Sequence, residues 1–113
     1  MKIYHNPRCS KSRQTLALLK SKTSNFEVIE YLKTPLNVEE IKLLLSKLNI
    51  KPIELIRVQE SIWKENYRAK KMDNNELINI IANYPKLMKR PIVTTNEKAI
   101  IGSPPENVIA LFT

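Results

Sequence analysis

The sequence has only one cysteine, one histidine and one glycine among its 113 residues. A single cysteine excludes a disulfide within the chain and fits a reducing compartment, where thiols stay free. The runs of apolar residues are far too short to cross a bilayer. The N-terminal stretch MKIYHNPRCS turns polar after a few residues and therefore lacks the apolar segment of a secretory signal. We expect a soluble cytoplasmic protein with no membrane partner.

The remaining composition is that of a basic globular protein. Hydrophobic residues make up 42% of the chain and charged residues 27%, which predicts one domain over residues 1–113. Nineteen Lys and Arg residues exceed eleven Asp and Glu residues, so the formal net charge is +8. This balance favours an anionic partner, which can be nucleic acid, an acidic protein surface or a small oxyanion. The basic residues form short clusters that also fit ordinary solvated charge, and we expect neither a nucleic acid partner nor a bound metal ion.

Four short segments rich in β-branched and aromatic residues are predicted as strands. They cover residues 2–5, 26–31, 91–95 and 98–101. The turn Asn96-Glu97 joins the last two into a hairpin. The first two flank a predicted helix, and such a βαβ unit has parallel strands and a right-handed connection. The hairpin is expected to extend the same sheet in antiparallel direction.

Capping residues mark where the predicted helices begin. The first helix starts after a proline that cannot continue a strand ladder, and two later helices open on an Asn or Asp followed three residues on by Glu. The helices are predicted to begin near Cys9 or Ser10, at Asn37, at Asp73 and at Glu106, and residues 52–71 have an irregular helical pattern. The whole order is β-α-β, several helices, then β-β-α. This is an α/β order of the thioredoxin-like type, with a mixed sheet and a helical insertion in its middle.

The stretch YHNPRCSKSR contains the only histidine and the only cysteine. Because the thiolate is the nucleophilic form, a catalytic Cys9 must lose its proton near neutral pH. At a helix N-terminus, unpartnered amides and the helix dipole favour a negative charge, and the same amides bind a tetrahedral oxyanion. The hydroxyls of Ser10 or Ser12, the cation of Arg8 and a protonated His5 are candidates to strengthen this effect.

Plain structural roles remain open for the same residues. Most single cysteines are buried as small hydrophobic residues, although the polar neighbours of Cys9 argue against burial. A lone histidine at a strand end, such as His5, is commonly a packed or hydrogen-bonded side chain. Ser12 occupies the place where a Cys-x-x-Cys oxidoreductase has its second cysteine. A catalytic Cys9 would therefore need an external thiol to resolve it.

Two arginines lie where a side chain can point into a cleft. Arg57 is beside a predicted turn, and a solvated surface position is its alternative. Arg90 precedes a proline, so its backbone is held extended. Pro91 itself is a candidate for a cis peptide bond.

Four segments together resemble the glutaredoxin-coupled arsenate reductases. They are IYHNPRCSKSRQTLALL near the N-terminus, LIR at 55–57, RPIV at 90–93 and GSPPENV at 102–108. Their order and spacing match the family over essentially the whole chain. The resemblance implies a thioredoxin-like fold with a helical insertion and a cis proline at position 91.

The resemblance also implies a mechanism. The cysteine attacks arsenate, glutathione displaces the adduct, and glutaredoxin resolves the resulting mixed disulfide, which yields arsenite. Glutathione and glutaredoxin are then co-substrates, and no cofactor is bound. The predicted site residues are Cys9 as nucleophile, Arg57, Arg90, Ser10 and Ser12 at the oxyanion, and His5, Arg8, Pro91 and Ser103 in supporting positions.

One position departs from the family pattern. A third arginine is expected before the proline of the GSPPENV segment, where this chain has Ser103. A hydroxyl lacks the charge and the bidentate geometry of guanidinium, and Arg8 or Lys11 is a candidate replacement. A homologue with another thiol substrate is therefore an alternative. The second alternative is a regulator of the Spx type, which resembles this chain in the RPI segment and in size and acts by binding RNA polymerase. Ser12 argues against it, because those regulators typically carry Cys-x-x-Cys.

Overall fold

The computed structural model describes residues 1–112. The chain groups into two compact units. The first contains Met1–Thr34 and the chain from Arg90 onward, and the second contains Pro35–Lys89. The second unit is thus inserted in sequence between the two parts of the first. Within residues 1–112, no helix is both long and apolar enough to cross a membrane.

The first unit is built on a mixed four-stranded sheet in the order β2-β1-β3-β4. Its strands are β1 (Lys2–His5), β2 (Glu27–Glu30), β3 (Ile92–Thr94) and β4 (Ala99–Ile101). β1 runs parallel to β2 and antiparallel to β3, and β3 and β4 form an antiparallel hairpin. The predicted strand order, the parallel pair and the hairpin are confirmed. The last three strands are shorter than predicted.

Helix α1 (Ser10–Lys22) covers this sheet with a narrow buried face. Leu19 on that face belongs to a core cluster with Ile3, Val93 and Val108. Val108 comes from the C-terminal segment Pro105–Phe112, which is a 3₁₀-helix. The helix predicted over 106–111 is therefore present in the tighter 3₁₀ form.

The second unit is helical. It contains α2 (Val38–Leu48), α3 (Ser61–Asn66) and α4 (Asn74–Asn83), with 3₁₀ turns at Pro52–Leu55 and Pro85–Leu87. Both predicted capping boxes are present. The side chains of Asn37 and Asp73 each accept a hydrogen bond, 2.8 Å long, from the amide three residues on. These bonds satisfy helix amides that otherwise lack partners.

The irregular pattern over residues 52–71 is not one helix. After the first 3₁₀ turn the chain becomes extended, and Ile56 forms an isolated antiparallel bridge with Met88. The Arg57 amide donates to the Leu87 carbonyl at 2.7 Å, and the Lys89 amide donates to the Leu55 carbonyl at 2.9 Å. Pairing with a distant segment therefore interrupts the local helical tendency. It also fixes the backbone of Arg57.

Candidate functional site

The loop between β1 and α1 is held by its own hydrogen bonds. The Asn6 amide donates to Ser12 Oγ at 3.0 Å, and the Arg8 amide donates to Asn6 Oδ1 at 3.1 Å. The Cys9 amide donates to the Asn6 carbonyl at 3.0 Å. Asn6 thus serves as the organising residue of a tight turn, a role that its short side chain suits. The turn delivers the cysteine to the start of the helix.

Cys9 is the N-cap residue of α1. Its backbone is extended, with φ −93° and ψ 123°, and its side chain forms no capping hydrogen bond. The thiol is half-buried, so it is neither enclosed in the core nor fully in solvent. No acidic residue lies in the first turn of the helix. The amides of Ser10, Lys11 and Ser12, which have no acceptor within the helix, are therefore not satisfied by a carboxylate of that turn.

His5 and Ser12 form a buried pair behind the cysteine. His5 Nδ1 and Ser12 Oγ are 2.6 Å apart, and the two residues are 6% and 0% exposed. Burial lowers the pKa of His5 below its ordinary value of 6.5, Lys20 and Arg13 lower it further, and Glu30 opposes the change. His5 is therefore neutral near pH 7.

The neutral state of His5 limits what it can do for the thiol. A protonated His5 was one candidate for stabilising a thiolate by charge. A neutral ring acts instead through a hydrogen bond. It holds the hydroxyl of Ser12, which also accepts a hydrogen bond from the Asn6 amide of the loop. The pair therefore supports the loop that carries Cys9.

Arg90 and Pro91 lie at the end of the sheet where the loop after β1 begins. Tyr4 of β1 is paired with Ile92 of β3, so the residues just before Ile92 lie beside the end of β1. The Arg90–Pro91 peptide bond is cis, as predicted. The Nε atom of Arg90 is buried and has no hydrogen-bond partner among the described residues. Buried polar atoms are nearly always paired, and an anionic acceptor would satisfy this one.

Gly102 permits a close contact with helix α1 at the same end of the sheet. Its amide donates to the Pro91 carbonyl at 2.8 Å, and Thr15 Oγ1 of α1 donates to its carbonyl at 2.6 Å. A Cβ atom at position 102 would lie 2.7 Å from Thr15 Cγ2 and 3.2 Å from Pro91 Cγ. The next residue, Ser103, is exposed and precedes a second cis bond, to Pro104. Sequence reasoning missed Thr15, because a threonine within a helix gives no sign of such a distant partner.

Arg57 belongs to the second unit, and its role as an oxyanion ligand stays a prediction. Its Nη1 atom donates to the carboxylate of Glu60, and that carboxylate also lies 3.9 Å from Lys86 Nζ. The side chains of Arg57 and Glu60 are only 20% and 17% exposed. Sequence reasoning also missed Glu60. Its position three residues after Arg57, beside a predicted turn, was a signal for an ion pair between the two side chains.

The first unit thus gathers most of the predicted site residues. His5 ends strand β1, the following loop and helix start carry Arg8, Cys9, Ser10 and Ser12, and Arg90, Pro91 and Ser103 lie next to β3 and β4. Among residues 1–112, no group of three or more His, Cys, Asp and Glu side chains could hold a metal ion. The arrangement combines a thiol, free helix amides and an unpartnered guanidinium nitrogen, which suits nucleophilic attack on an oxyanion.

A sequence model of the ArsC family matches residues 4–111. The chain belongs to the ArsC family. It is 46% identical over 113 residues to the uncharacterized protein YfgD of Escherichia coli, covering 98% of this chain and 95% of that protein. It is 42% identical over 114 residues to the arsenate reductase of Neisseria meningitidis, covering 99% of this chain and 97% of that protein.

Solved structures of ArsC-like proteins share this architecture. The arsenate reductase from Vibrio cholerae superposes with a TM-score of 0.91 at 42% identity, covering 97% of each chain. The putative arsenate reductase from Yersinia pestis gives the same TM-score of 0.91 at 43% identity, covering 96% of this chain and 97% of that chain. These matches confirm the predicted thioredoxin-like α/β fold of this ArsC-family protein.

Proposed function

We propose that this ArsC-family protein reduces arsenate, with Cys9 as the nucleophile and with glutathione and glutaredoxin as electron donors. The observation that carries the proposal is the position of Cys9 at the N-cap of α1, half-buried and without a capping hydrogen bond. Membership of a family in which 42% identical relatives are named arsenate reductases supports the substrate. The reaction is the thiol-dependent reduction of As(V) to As(III).

The first step forms a bond between Cys9 Sγ and arsenic. The thiolate attacks arsenate, and one arsenate oxygen takes up protons and leaves as water. Charge on the remaining oxygens needs donors that are already in place. The free amides at the start of α1 and the buried Nε of Arg90 are such donors. Arg57 is a further proposed donor, on the ground of the family resemblance.

The second step is the reduction itself. A glutathione thiolate attacks Cys9 Sγ, an S–S bond forms, and the S–As bond breaks. The electron pair of that bond leaves with arsenic, so arsenic is reduced and the two sulfurs are oxidised to a mixed disulfide. Glutaredoxin then attacks the glutathione sulfur and returns Cys9 as a thiolate. An external thiol is required because the chain has no second cysteine and Ser12 stands at the usual resolving position.

A coupled assay tests this function. Arsenate-dependent oxidation of NADPH is measured with glutathione, glutathione reductase and glutaredoxin, and each component is omitted in turn. We expect turnover that needs every component and is abolished in Cys9→Ser, with thermal stability compared to exclude unfolding. Turnover that survives in Cys9→Ser contradicts the proposal. Tight binding of RNA polymerase by Cys9→Ser, with no arsenate turnover by the parent, would support the regulator instead.

A further inference from the structure

The start of helix α1 carries cations where a helix ordinarily favours anions. Lys11 is the second residue of the helix, Arg8 precedes the cap residue Cys9, and the first turn contains no acidic residue. The positive end of the helix dipole repels such charges, so both positions are unfavourable for the helix itself. Lys20 and Lys22 lie in the last turn, where the dipole favours a cation. The helix therefore accounts for the second pair of cations and not for the first.

Arg8 and Lys11 have no anionic partner within the described residues 1–112. Both side chains are exposed, and neither of them forms a hydrogen bond or an ion pair there. The sequence between residues 6 and 26 contains no Asp or Glu. Arg13 differs, because its Nη1 atom donates to the Pro7 carbonyl at 2.9 Å and so helps to hold the loop. Arg8 and Lys11 are thus two uncompensated charges that flank the cysteine in the sequence.

We infer that Arg8 and Lys11 select the thiol that attacks Cys9 by its charge, and that the preferred thiol carries a net negative charge from carboxylates. The inference rests on the proposed function in one respect, the attack of an external thiolate on Cys9 Sγ. In that step an S–S bond forms, and the bond between Sγ and its leaving group breaks. The two cations act on the approach of the thiolate and not on the reacting atoms, so they determine specificity and are not catalytic residues.

Electrostatics gives the direction and the range of the effect. Arg8 and Lys11 lie within one helical turn of Cys9, and a turn rises about 5.4 Å. Charges act over about 10 Å at 0.1 M ionic strength, so a thiolate that approaches Cys9 is attracted by both cations. Glutathione has two carboxylates and one ammonium group. Its thiolate therefore carries one more negative charge than the thiolate of 2-mercaptoethanol and two more than that of cysteamine, and the cations should favour the three thiols in that order.

Thiol exchange on a pyridyl disulfide of Cys9 tests this selection without arsenate. Because Cys9 is the only cysteine, dithiodipyridine modifies that residue alone. An incoming thiolate attacks Sγ, the bond to the pyridyl sulfur breaks, and the absorbance of the released thiopyridone gives the rate constant. The thiols are glutathione, 2-mercaptoethanol and cysteamine, and the proteins are the parent, Arg8→Gln, Lys11→Gln and the double variant. Lys22→Gln is the matched control, since Lys22 is exposed and lies about 20 Å along α1 from Cys9.

Ratios of rate constants within one protein remove any change in the reactivity of the disulfide itself. At low salt we expect the ratio of glutathione to 2-mercaptoethanol to fall about twofold in Arg8→Gln and in Lys11→Gln, and about three- to fivefold in the double variant. The ratio of cysteamine to 2-mercaptoethanol should rise by similar factors. The differences from the parent should fade at 1 M salt, where the Debye length is about 3 Å, and Lys22→Gln should keep the ratios of the parent. Lys11→Gln should also raise the melting temperature, because it removes a cation from the positive end of the dipole.

Each outcome separates the inference from the proposed function. Parental ratios in the double variant overturn the inference, and so does an equal change of the ratios in Lys22→Gln. A melting temperature that falls in Lys11→Gln would show that the fold itself requires this charge, which also overturns it. If the expected ratios are found but the parent does not reduce arsenate, the proposed function fails and the role of Arg8 and Lys11 stands. If arsenate is reduced and the ratios do not change, the proposed function stands without this selection.

Discussion

At the scale of single residues, the buried His5–Ser12 pair is the best-defined feature near the cysteine. The 2.6 Å contact joins the end of β1 to the first turn of α1, and Ser12 also accepts the Asn6 amide. One hydroxyl therefore satisfies two groups on the loop that leads to Cys9. Loss of either partner leaves a buried polar group unpaired, which typically costs about 1–3 kcal/mol.

The lowered pKa of His5 predicts how stability depends on pH. The unfolded chain, with an ordinary pKa of 6.5, takes up a proton more readily than the folded protein. The free energy of unfolding should therefore fall as pH drops below 6.5, until the lowered pKa of the folded state is reached, by about 1.4 kcal/mol per unit of difference. Urea denaturation from about pH 7.5 to 5.5 measures it, a range in which histidine is the side chain that ordinarily titrates. His5→Asn should flatten the curve, and equal slopes in both proteins would contradict this assignment.

Ser103 stands where the family resemblance predicts a third arginine. It is exposed, so an arginine fits there without steric conflict. If it marks a missing oxyanion ligand, Ser103→Arg should raise kcat/KM for arsenate by tens-fold at most, from a charged hydrogen bond of about 1.5–3 kcal/mol less the entropy of ordering the side chain. Arg90→Ala should lower kcat/KM more severely than Ser103→Arg raises it.

Ser24→Arg provides the charge-matched control for this prediction. Ser24 is also exposed, and it precedes strand β2. The first residue of β2, Glu27, is paired with Lys2 at the start of β1, so Ser24 lies toward the opposite end of the sheet from the loop of Cys9. Turnover at matched glutathione and salt is the measurement. An equal gain in Ser24→Arg and Ser103→Arg would show a general charge effect. No gain in Ser103→Arg with an efficient parent would assign the third role to Arg8 or Lys11.

At the scale of elements, the packing of α1 against the end of β4 places the helix start. Thr15 donates to the Gly102 carbonyl, and Gly102 donates to the Pro91 carbonyl. The absence of a side chain at Gly102 lets these segments meet. A change at this contact should therefore reach both the loop of Cys9 and the strand start at Arg90.

Gly102→Ala tests this contact. The new Cβ would lie 2.7 Å from Thr15 Cγ2, and such overpacking costs about 1–3 kcal/mol. Thr15→Ser removes that methyl group and keeps the hydroxyl, so the double variant should recover part of the lost stability. Thermal denaturation of both single variants and the double variant measures the coupling. Additive losses would show that the methyl group is not the obstacle, and Ser103→Ala should be close to neutral.

The elements that sequence reasoning predicted are those encoded locally. Asn37 and Asp73 predict where their helices begin, because each capping side chain and the amide that it accepts from lie three residues apart. What escaped is non-local. Ile56 leaves the helical pattern because it pairs with Met88, and Thr15 meets Gly102 across 87 residues.

For the same reason, only the local features of the candidate site could be predicted from the sequence. Cys9 and Ser12 lie in one short motif, so their placement at a helix start followed from the loop sequence. The cis bond at Pro91, for which the proline was a candidate and which the family resemblance implied, is confirmed. The neutral state of His5 and the carboxylate on Arg57 depend on burial and side-chain direction, which a sequence pattern does not carry.

At the scale of the whole molecule, the proposed reaction depends on a single thiol. The chain has no second cysteine, so the proposed reaction places a foreign thiol on Cys9. The net charge of +8 suits an oxyanion substrate, but charge alone does not separate a reductase from a binding protein. The covalent state of Cys9 does.

Intact-mass spectrometry of Cys9 tests this central claim most directly. The protein is incubated with arsenate and glutathione while glutaredoxin is left out, with parallel samples that contain phosphate in place of arsenate and a Cys9→Ser protein. We predict a glutathione adduct at Cys9 that forms with arsenate, stays absent with phosphate and in Cys9→Ser, and disappears when glutaredoxin is added. A Cys9 that remains unmodified, or that is modified equally with phosphate, would contradict the claim that this thiolate attacks arsenate.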